Sequence, residues 1–330
     1  MSITRDGNQV GKKAGFVAII GRPNVGKSTL MNQMLGEELS IVSPKAQTTR
    51  EQLRGILTEK RGQIVFLDTP GIHKAKPDGL NAYMVDQASQ SLESADVVWY
   101  MIDPTTKLEV EQPVLEILAK HPELKVHFIV NKADTKKGLD TIEILITHLM
   151  AALQARGGEG VKVGEVKLWR ISALKGTLVK ELLDDTWTML SEGPSFYPSE
   201  TEDEQDTLSD KPLRYFVAEK IRRQLYLQLG EELPYSCGVE ISEFKDTAKP
   251  VRIQATLFVE RESQKGMVVG KAGQKIKAIG VGARTEIEEL MNQQVFLGLT
   301  VKVLPEWTKD QAALKRLGYH RAQLKSQSRK

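Results

Sequence analysis

From residue 16 to about residue 190, short apolar runs alternate with longer segments whose apolar positions recur every three or four residues. The runs Phe16–Ile20, Ile64–Leu67, Val97–Ile102, Val126–Val130 and Val166–Ile171 have the length of buried strands. The segments near 79–95, 109–120, 139–153 and 177–190 read as amphipathic helices. Strands alternating with helices predict an α/β fold with a mostly parallel sheet covered on both faces. Gln52–Leu57, then Gly62, then Ile64–Leu67 reads as a hairpin, which adds one antiparallel edge strand and makes the sheet six-stranded.

A different pattern follows. Leu213–Leu229 is helical, with Phe216, Val217, Ile221, Leu225 and Leu229 on one side. Gly238–Lys245 and Val251–Arg261 alternate like strands, Met267–Gly280 follows as a Gly-containing loop and the helix bearing Lys275 and Lys277, a second helix is expected from about Ala283 to Asn292, and Val295–Leu304 is a last strand. Helix, strand, strand, helix, helix, strand predicts a smaller α+β domain. Between the two patterns, 193–211 carries the acidic run Ser199–Asp206 and reads as a linker. The expected organisation is a polar extension at 1–13, a first domain at 14–192, the linker, a second domain at 212–306 and a basic tail at 307–330.

Composition narrows the class only a little. Of 330 residues, 40% are hydrophobic and 27% charged, which is ordinary for a chain with real cores. The single cysteine, Cys237, excludes an intramolecular disulfide and suits a reducing cytoplasm. Residues 1–13 lack the apolar core of a signal peptide, and no run approaches the roughly 18 apolar residues of a membrane span. The net charge of +3 says little about partners by itself.

The chemistry starts at Gly21-Arg22-Pro23-Asn24-Val25-Gly26-Lys27-Ser28, between a strand and the helix opened by Thr29. This is the G-x-x-x-x-G-K-[ST] phosphate loop in its required setting. The glycines let backbone N–H groups turn toward phosphates, and the helix N-terminus adds partial positive charge. Lys27 can reach the terminal phosphates, and the Ser28 hydroxyl can ligate Mg²⁺. Asp68-Thr69-Pro70-Gly71 ends the strand Ile64–Leu67: Asp68 can hold Mg²⁺ directly or through water, and the Gly71 N–H can approach a γ-phosphate. Asn131-Lys132-Ala133-Asp134 ends another strand. A carboxylate at Asp134 can accept from the N1–H and exocyclic amine of guanine, a donor pair that adenine lacks. The Lys132 stem can lie over the purine, and Asn131 can brace the loop. Ser172-Ala173-Leu174 follows the last strand, where the Ala173 N–H could reach the guanine O6. The combination selects GTP and GDP.

In its spacing the first domain resembles the translation-factor-related GTPases, and Pro44-Lys45-Ala46-Gln47-Thr48-Thr49-Arg50 resembles the first switch of the Era GTPase family. The resemblance implies that one of Thr48 and Thr49, Thr49 by preference, completes the Mg²⁺ shell. Asn24 resembles the asparagine that helps bind K⁺ in related GTPases; its other reading is a turn residue capping the loop. Ile72 stands where Ras-like enzymes carry a water-orienting Gln, so slow basal hydrolysis is expected. His73 reads as a polar loop residue.

Val269-Gly270-Lys271-Ala272-Gly273-Gln274-Lys275-Ile276-Lys277 matches the G-x-x-G loop of KH domains, which clamps about four nucleotides of single-stranded backbone. The order of elements around it resembles the type II KH arrangement. The two domains in this order match the Era family across roughly residues 15–310. The resemblance implies a GTPase that binds 16S ribosomal RNA near its 3′ end during assembly of the small ribosomal subunit. It further implies a cytoplasmic protein, monomeric, with some peripheral association with the inner face of the membrane. Two other readings compete: an RNA chaperone with a purely structural nucleotide, and a relative serving membranes or tRNA modification.

Overall fold

In the computed structural model, the described residues are 11–43, 45, 47–73, 78–121, 124–135, 142–157, 167–197, 207–230 and 232–319. Pro44 and Ala46 of the switch segment, Val166, the acidic run 199–206 and the tail from residue 320 lie outside them. The chain divides into two units, Met1–Lys74 with Gln87–Lys211, and Ala75–Asp86 with Pro212–Lys330.

The first unit is built on β1 (Lys13–Gly21), α1 (Lys27–Leu35), β2 (Leu53–Glu59), β3 (Gly62–Asp68), β4 (Val97–Ile102), β5 (Lys125–Val130) and β6 (Lys167–Arg170). With them come α3 (Leu108–Leu118), α4 (Ile142–Gly157), α5 (Val179–Met189) and the later part of α2 (Gly79–Glu93), whose residues up to Asp86 belong to the second unit. The sheet order is β2-β3-β1-β4-β5-β6, parallel except for the antiparallel β2–β3 hairpin. β3 and β4 are buried along their whole lengths, which is why they read as unbroken apolar runs rather than alternating ones. Because β1 lies between β3 and β4, the strand order reverses at β1, and its carboxyl end opens a crevice.

Residues on either side of the acidic run are pinned to the edge of this sheet. Leu208 O accepts from Ile56 N at 2.9 Å, and the Gln63 side chain exchanges two hydrogen bonds with the Tyr197 backbone at 2.7 and 2.9 Å. Arg54 pairs with Asp210 at 2.9 Å. An edge strand has open backbone groups, and Leu208 satisfies one of them on β2.

The second unit contains α6 (Leu213–Gln228), β7 (Gly238–Lys245), β8 (Val251–Val259), α7 (Glu262–Val269), α8 (Gln274–Met291), β9 (Val295–Val303) and α9 (Gln311–Arg316). The sheet order is β7-β8-β9, antiparallel then parallel. α8 runs without a break from the helix expected after the G-x-x-G loop, which carries Lys275 and Lys277, into the one expected from about Ala283. Gly280 and Gly282 lower its helix propensity, but Ile276, Ile279, Ala283 and Ile287 keep one face on the core throughout.

Trp307 corrects the reading of a tail that starts at this residue. Its side chain is fully buried, donates from Nε1 to Ser236 O at 2.9 Å and stacks on Tyr319. Asp310 caps α9 by accepting from Ala313 N at 2.6 Å, and Leu314 joins Trp307, Leu80 and Met84 in one apolar cluster. The basic Arg316 is held by Glu240 at 2.9 and 3.0 Å. A charge-rich segment was legible, but the few apolar residues that anchor it were not. Trp307→Ala is expected to cost about 3–5 kcal/mol. The urea transition of the second unit, followed by circular dichroism, should move to lower concentration; an unchanged midpoint would mean that Trp307 carries no packing.

Candidate nucleotide site and nucleic-acid interface

The four motifs follow β1, β3, β5 and β6, and the parallel register brings their ends to one edge of the sheet. They surround a cavity of about 590 Å³. Its wall takes Pro23, Asn24, Gly26, Lys27, Ser28 and Thr29 from the first loop, Thr48 and Thr49 from the switch segment, and Gly71. Asn131, Lys132, Asp134, Ser172 and Leu174 complete the expected set, and Ile41, Val42, Ser43, Gln47 and Thr135 are additions. Gly21, Arg22, Val25, Asp68, Thr69, Pro70, Ile72 and Ala173 support the loops around this wall. Ile72 is 2% exposed within the apolar cluster of the sheet, so its side chain cannot orient a water.

Lys27 is buried, and its ammonium donates to Gly21 O at 3.2 Å and Arg22 O at 2.9 Å. Burial lowers its pKa to about 8, opposed by the carboxylates of Asp68 and Glu111. Glu111, fully buried on α3, is held by the hydroxyls of Tyr100 at 2.8 Å and Thr106 at 2.7 Å. Gly26 has φ +100°, and a Cβ there would lie 2.2 Å from Asn131 Nδ2. At Gly71 a Cβ would lie 2.6 Å from Pro23 N, so glycine is required where the two loops meet. The Ile72 N–H closes that meeting by donating to Gly21 O at 3.1 Å.

Asp68 gathers the hydroxyls. Its Oδ2 accepts from Ser40 Oγ at 2.7 Å, Ser28 Oγ at 2.8 Å and Thr49 Oγ1 at 3.3 Å. Ser28 Oγ and Thr49 Oγ1 are themselves 3.0 Å apart. The other oxygen, Asp68 Oδ1, is buried without a hydrogen-bond partner. Burial raises the Asp68 pKa, against the pull of Lys27 and the three hydroxyls. A buried orphan carboxylate oxygen beside two hydroxyls fits Mg²⁺, which takes oxygen ligands and shares them with waters and phosphates. Of the paired threonines, Thr49 is the one whose hydroxyl joins this group. Sequence reasoning missed Ser40, which lies in an unpatterned stretch with no motif to mark it.

Asn131 ties the base side to the phosphate side. Its Nδ2 donates to Val25 O at 2.7 Å, and its Oδ1 accepts from Ala173 N at 2.9 Å. The Ala173 N–H, expected to reach toward the base, is therefore committed to this brace, and Leu174 instead lines the cavity. A hydrogen bond from Ser172, with the positive charge of Lys175 assisting, holds the Asp134 carboxylate below the usual range. It is an anionic acceptor at the cavity wall, suited to a pair of donors on a base. Lys132, at φ +62°, is tethered to Asp103 at 2.6 Å, which aims its stem along the cavity.

The G-x-x-G loop lies in the second unit between α7 and α8. Gly270 and Gly273 have φ +73° and +75°, and Ala272 φ +50°. Val268 and Ile276 anchor the loop in the core, with Val269 half-buried beside them. Lys271, Ala272, Lys275 and Lys277 are exposed. Backbone and cations thus face outward together, as a phosphate-contacting loop requires.

The chain matches the 50S ribosome-binding GTPase family over residues 16–132 and the KH domain family over residues 232–308. It is 37% identical over 309 residues to the GTPase Era of Carboxydothermus hydrogenoformans, covering 93% of this chain and 98% of that protein. Identity to the GTPase Era of Pseudomonas aeruginosa is 40% over 319 residues, covering 97% and 99%. A crystal structure of Era in complex with MgGDPNP and nucleotides 1506–1542 of 16S ribosomal RNA aligns with TM-score 0.82 at 38% identity, over 94% of this chain and all of that one. A single-substitution variant of Aquifex aeolicus Era bound to GDP·AlF₄⁻ aligns with TM-score 0.81 at 37% identity, over the same shares. Since the likeness runs through both the nucleotide cavity and the KH loop at this level of identity, the chain belongs to the Era family of GTPases.

Proposed function

We propose that this chain is a GTP-hydrolysing switch that binds 16S ribosomal RNA near its 3′ end and assists assembly of the small ribosomal subunit. The observation that carries the reading is the presence, in one chain, of a cavity lined by the phosphate loop and the Asp134 carboxylate and of an exposed G-x-x-G loop, both within the span aligned to the RNA-bound Era structure. The reading extends to work in the cytoplasm as a monomer, with peripheral contact to the inner face of the membrane.

In this reading Gly21 to Ser28 wrap the phosphates, with Lys27 on the terminal ones. Ser28 and Thr49 would hold Mg²⁺, with Asp68 directly or through water; the ion neutralises charge on the phosphates. The Gly71 N–H turns toward the γ-phosphate, and Asp134 selects guanine. With Ile72 buried, no side chain at that position aligns the attacking water, which suits slow turnover by the protein alone. Asn24, on the cavity wall at φ +64°, would hold K⁺ beside the phosphates. Purified protein that binds GTP but never releases phosphate would favour the RNA-chaperone reading.

Asp134→Asn replaces an acceptor with a donor. Losing charge-assisted bonds of about 1.5–3 kcal/mol should weaken GTP binding roughly 10- to 100-fold and improve binding of xanthosine triphosphate, whose C2 carries an oxygen. Calorimetric titration with both nucleotides checks this, and unchanged GTP affinity would remove Asp134 as the selector.

Exchanging K⁺ for Na⁺ should slow wild-type GTP hydrolysis several-fold with little change in GDP affinity. Asn24→Ala should respond equally to the two salts. Equal wild-type rates in both would exclude the K⁺ role.

Lys271→Asp with Ala272→Asp keeps both glycines, and Asp tolerates the left-handed conformation at 272. Most of the affinity for a single-stranded oligonucleotide from the 3′ region of 16S ribosomal RNA should be lost, with a shallower salt dependence, while GTP hydrolysis without RNA stays near wild type. Filter binding at several salt concentrations measures it. Full affinity in the folded variant would move the RNA surface elsewhere.

A further inference from the structure

Ser40 is the third hydroxyl on Asp68, and it differs from the other two. Ile41, Val42 and Ser43 line the cavity, whereas Ser40 is 5% exposed and reaches Asp68 from behind the wall. Its bond to Oδ2, at 2.7 Å, is the shortest of the three. The residue is held by a clamp of its own. Asn32 Oδ1 accepts from Leu39 N at 3.1 Å and Ser40 N at 2.9 Å, and Asn32 Nδ2 donates to Ser40 O at 2.9 Å. An amide is needed for this, because it supplies donor and acceptor at once. Asn32 lies four residues after Ser28 on α1, so the two project from the same helix face. One rigid helix thus carries a hydroxyl of the cavity and, one turn on, the clamp behind the carboxylate.

The geometry sets the rotation of the carboxylate. With three hydroxyls on Oδ2, Oδ1 is the buried oxygen left without a partner. Ser28 and Thr49 must also serve the ion, so Ser40 is the donor whose whole capacity goes to Asp68. We propose that Ser40, clamped by Asn32, is a positioning residue that fixes Asp68 Oδ2 and so presents Oδ1 to Mg²⁺ or its water shell. The proposal rests on the reading of this cavity as the Mg²⁺–GTP site. Ser40 acts through Asp68 and touches neither nucleotide nor ion.

The test is the rate of release of N-methylanthraniloyl-GDP as a function of free Mg²⁺, and again in EDTA, for the wild type, Ser40→Ala, Ser40→Thr and Asn32→Asp. Residues that orient a metal's ligands typically change metal affinity 10- to 100-fold. Ser40→Ala should raise the Mg²⁺ concentration for half-maximal slowing of release by about tenfold. Its release rate in EDTA should stay within about twofold of wild type, which also reports an intact site. Ser40→Thr keeps the hydroxyl and should restore the wild-type midpoint, while Asn32→Asp, which lacks the donor to Ser40 O, should shift it as Ser40→Ala does. An unchanged midpoint in Ser40→Ala would overturn the proposal. So would faster release by the same factor in Mg²⁺ and in EDTA, since that marks a loop anchor with no bearing on the ion. A wild-type release rate indifferent to Mg²⁺ would remove the metal site, and the proposal with it.

Discussion

Lys27 is a cation buried at the carboxyl edge of a sheet, and the first unit is arranged around keeping it charged and aimed. An unpaired buried charge is costly, and the usual escape is to lose the charge. Burial pulls Lys27 in that direction. Two loop carbonyls accept from its ammonium, and Asp68 and Glu111 oppose the loss. Those carboxylates are themselves buried and need donors, which the hydroxyls of Ser28, Ser40, Thr49, Tyr100 and Thr106 supply. The result is a polar network in an apolar setting, where each group depends on its neighbours for satisfaction.

The same constraint explains why the loops are braced from several strands. A phosphate cradle works only if its N–H groups already point inward before the ligand arrives. Asn131 bridges Val25 and Ala173, the Gly71 turn sits against Pro23, and Thr69 Oγ1 donates to Ile19 O at 2.8 Å. The loop at Ala173 and the phosphate loop are therefore mechanically linked through one side-chain amide.

The second unit solves a simpler problem. Its loop needs two left-handed glycines and exposed cations, and the apolar faces of α7 and α8 anchor it on each side. The cations of that loop stand at the surface, where a nucleic-acid backbone can be met.

Much of this was legible along the chain. The strand–loop–helix setting of Gly21 to Ser28, the carboxylates of Asp68 and Asp134, and the Gly270–Gly273 loop are local patterns, because backbone turns and strand ends are encoded by neighbouring residues. Buried strands were found by their apolar runs. The continuity of α8 was missed because its glycines interrupt a helical stripe, and Trp307 because one aromatic residue in a charged segment carries no period. The partners of each functional group were not readable: Ser40 on Asp68, Asn32 on Ser40, and Ala173 on Asn131. Local order along the chain sets which chemical groups stand at the strand ends. Which of them meet is set by the fold, because hydrogen bonds between residues far apart in the chain depend on parallel register and packing, and neither leaves a periodic trace.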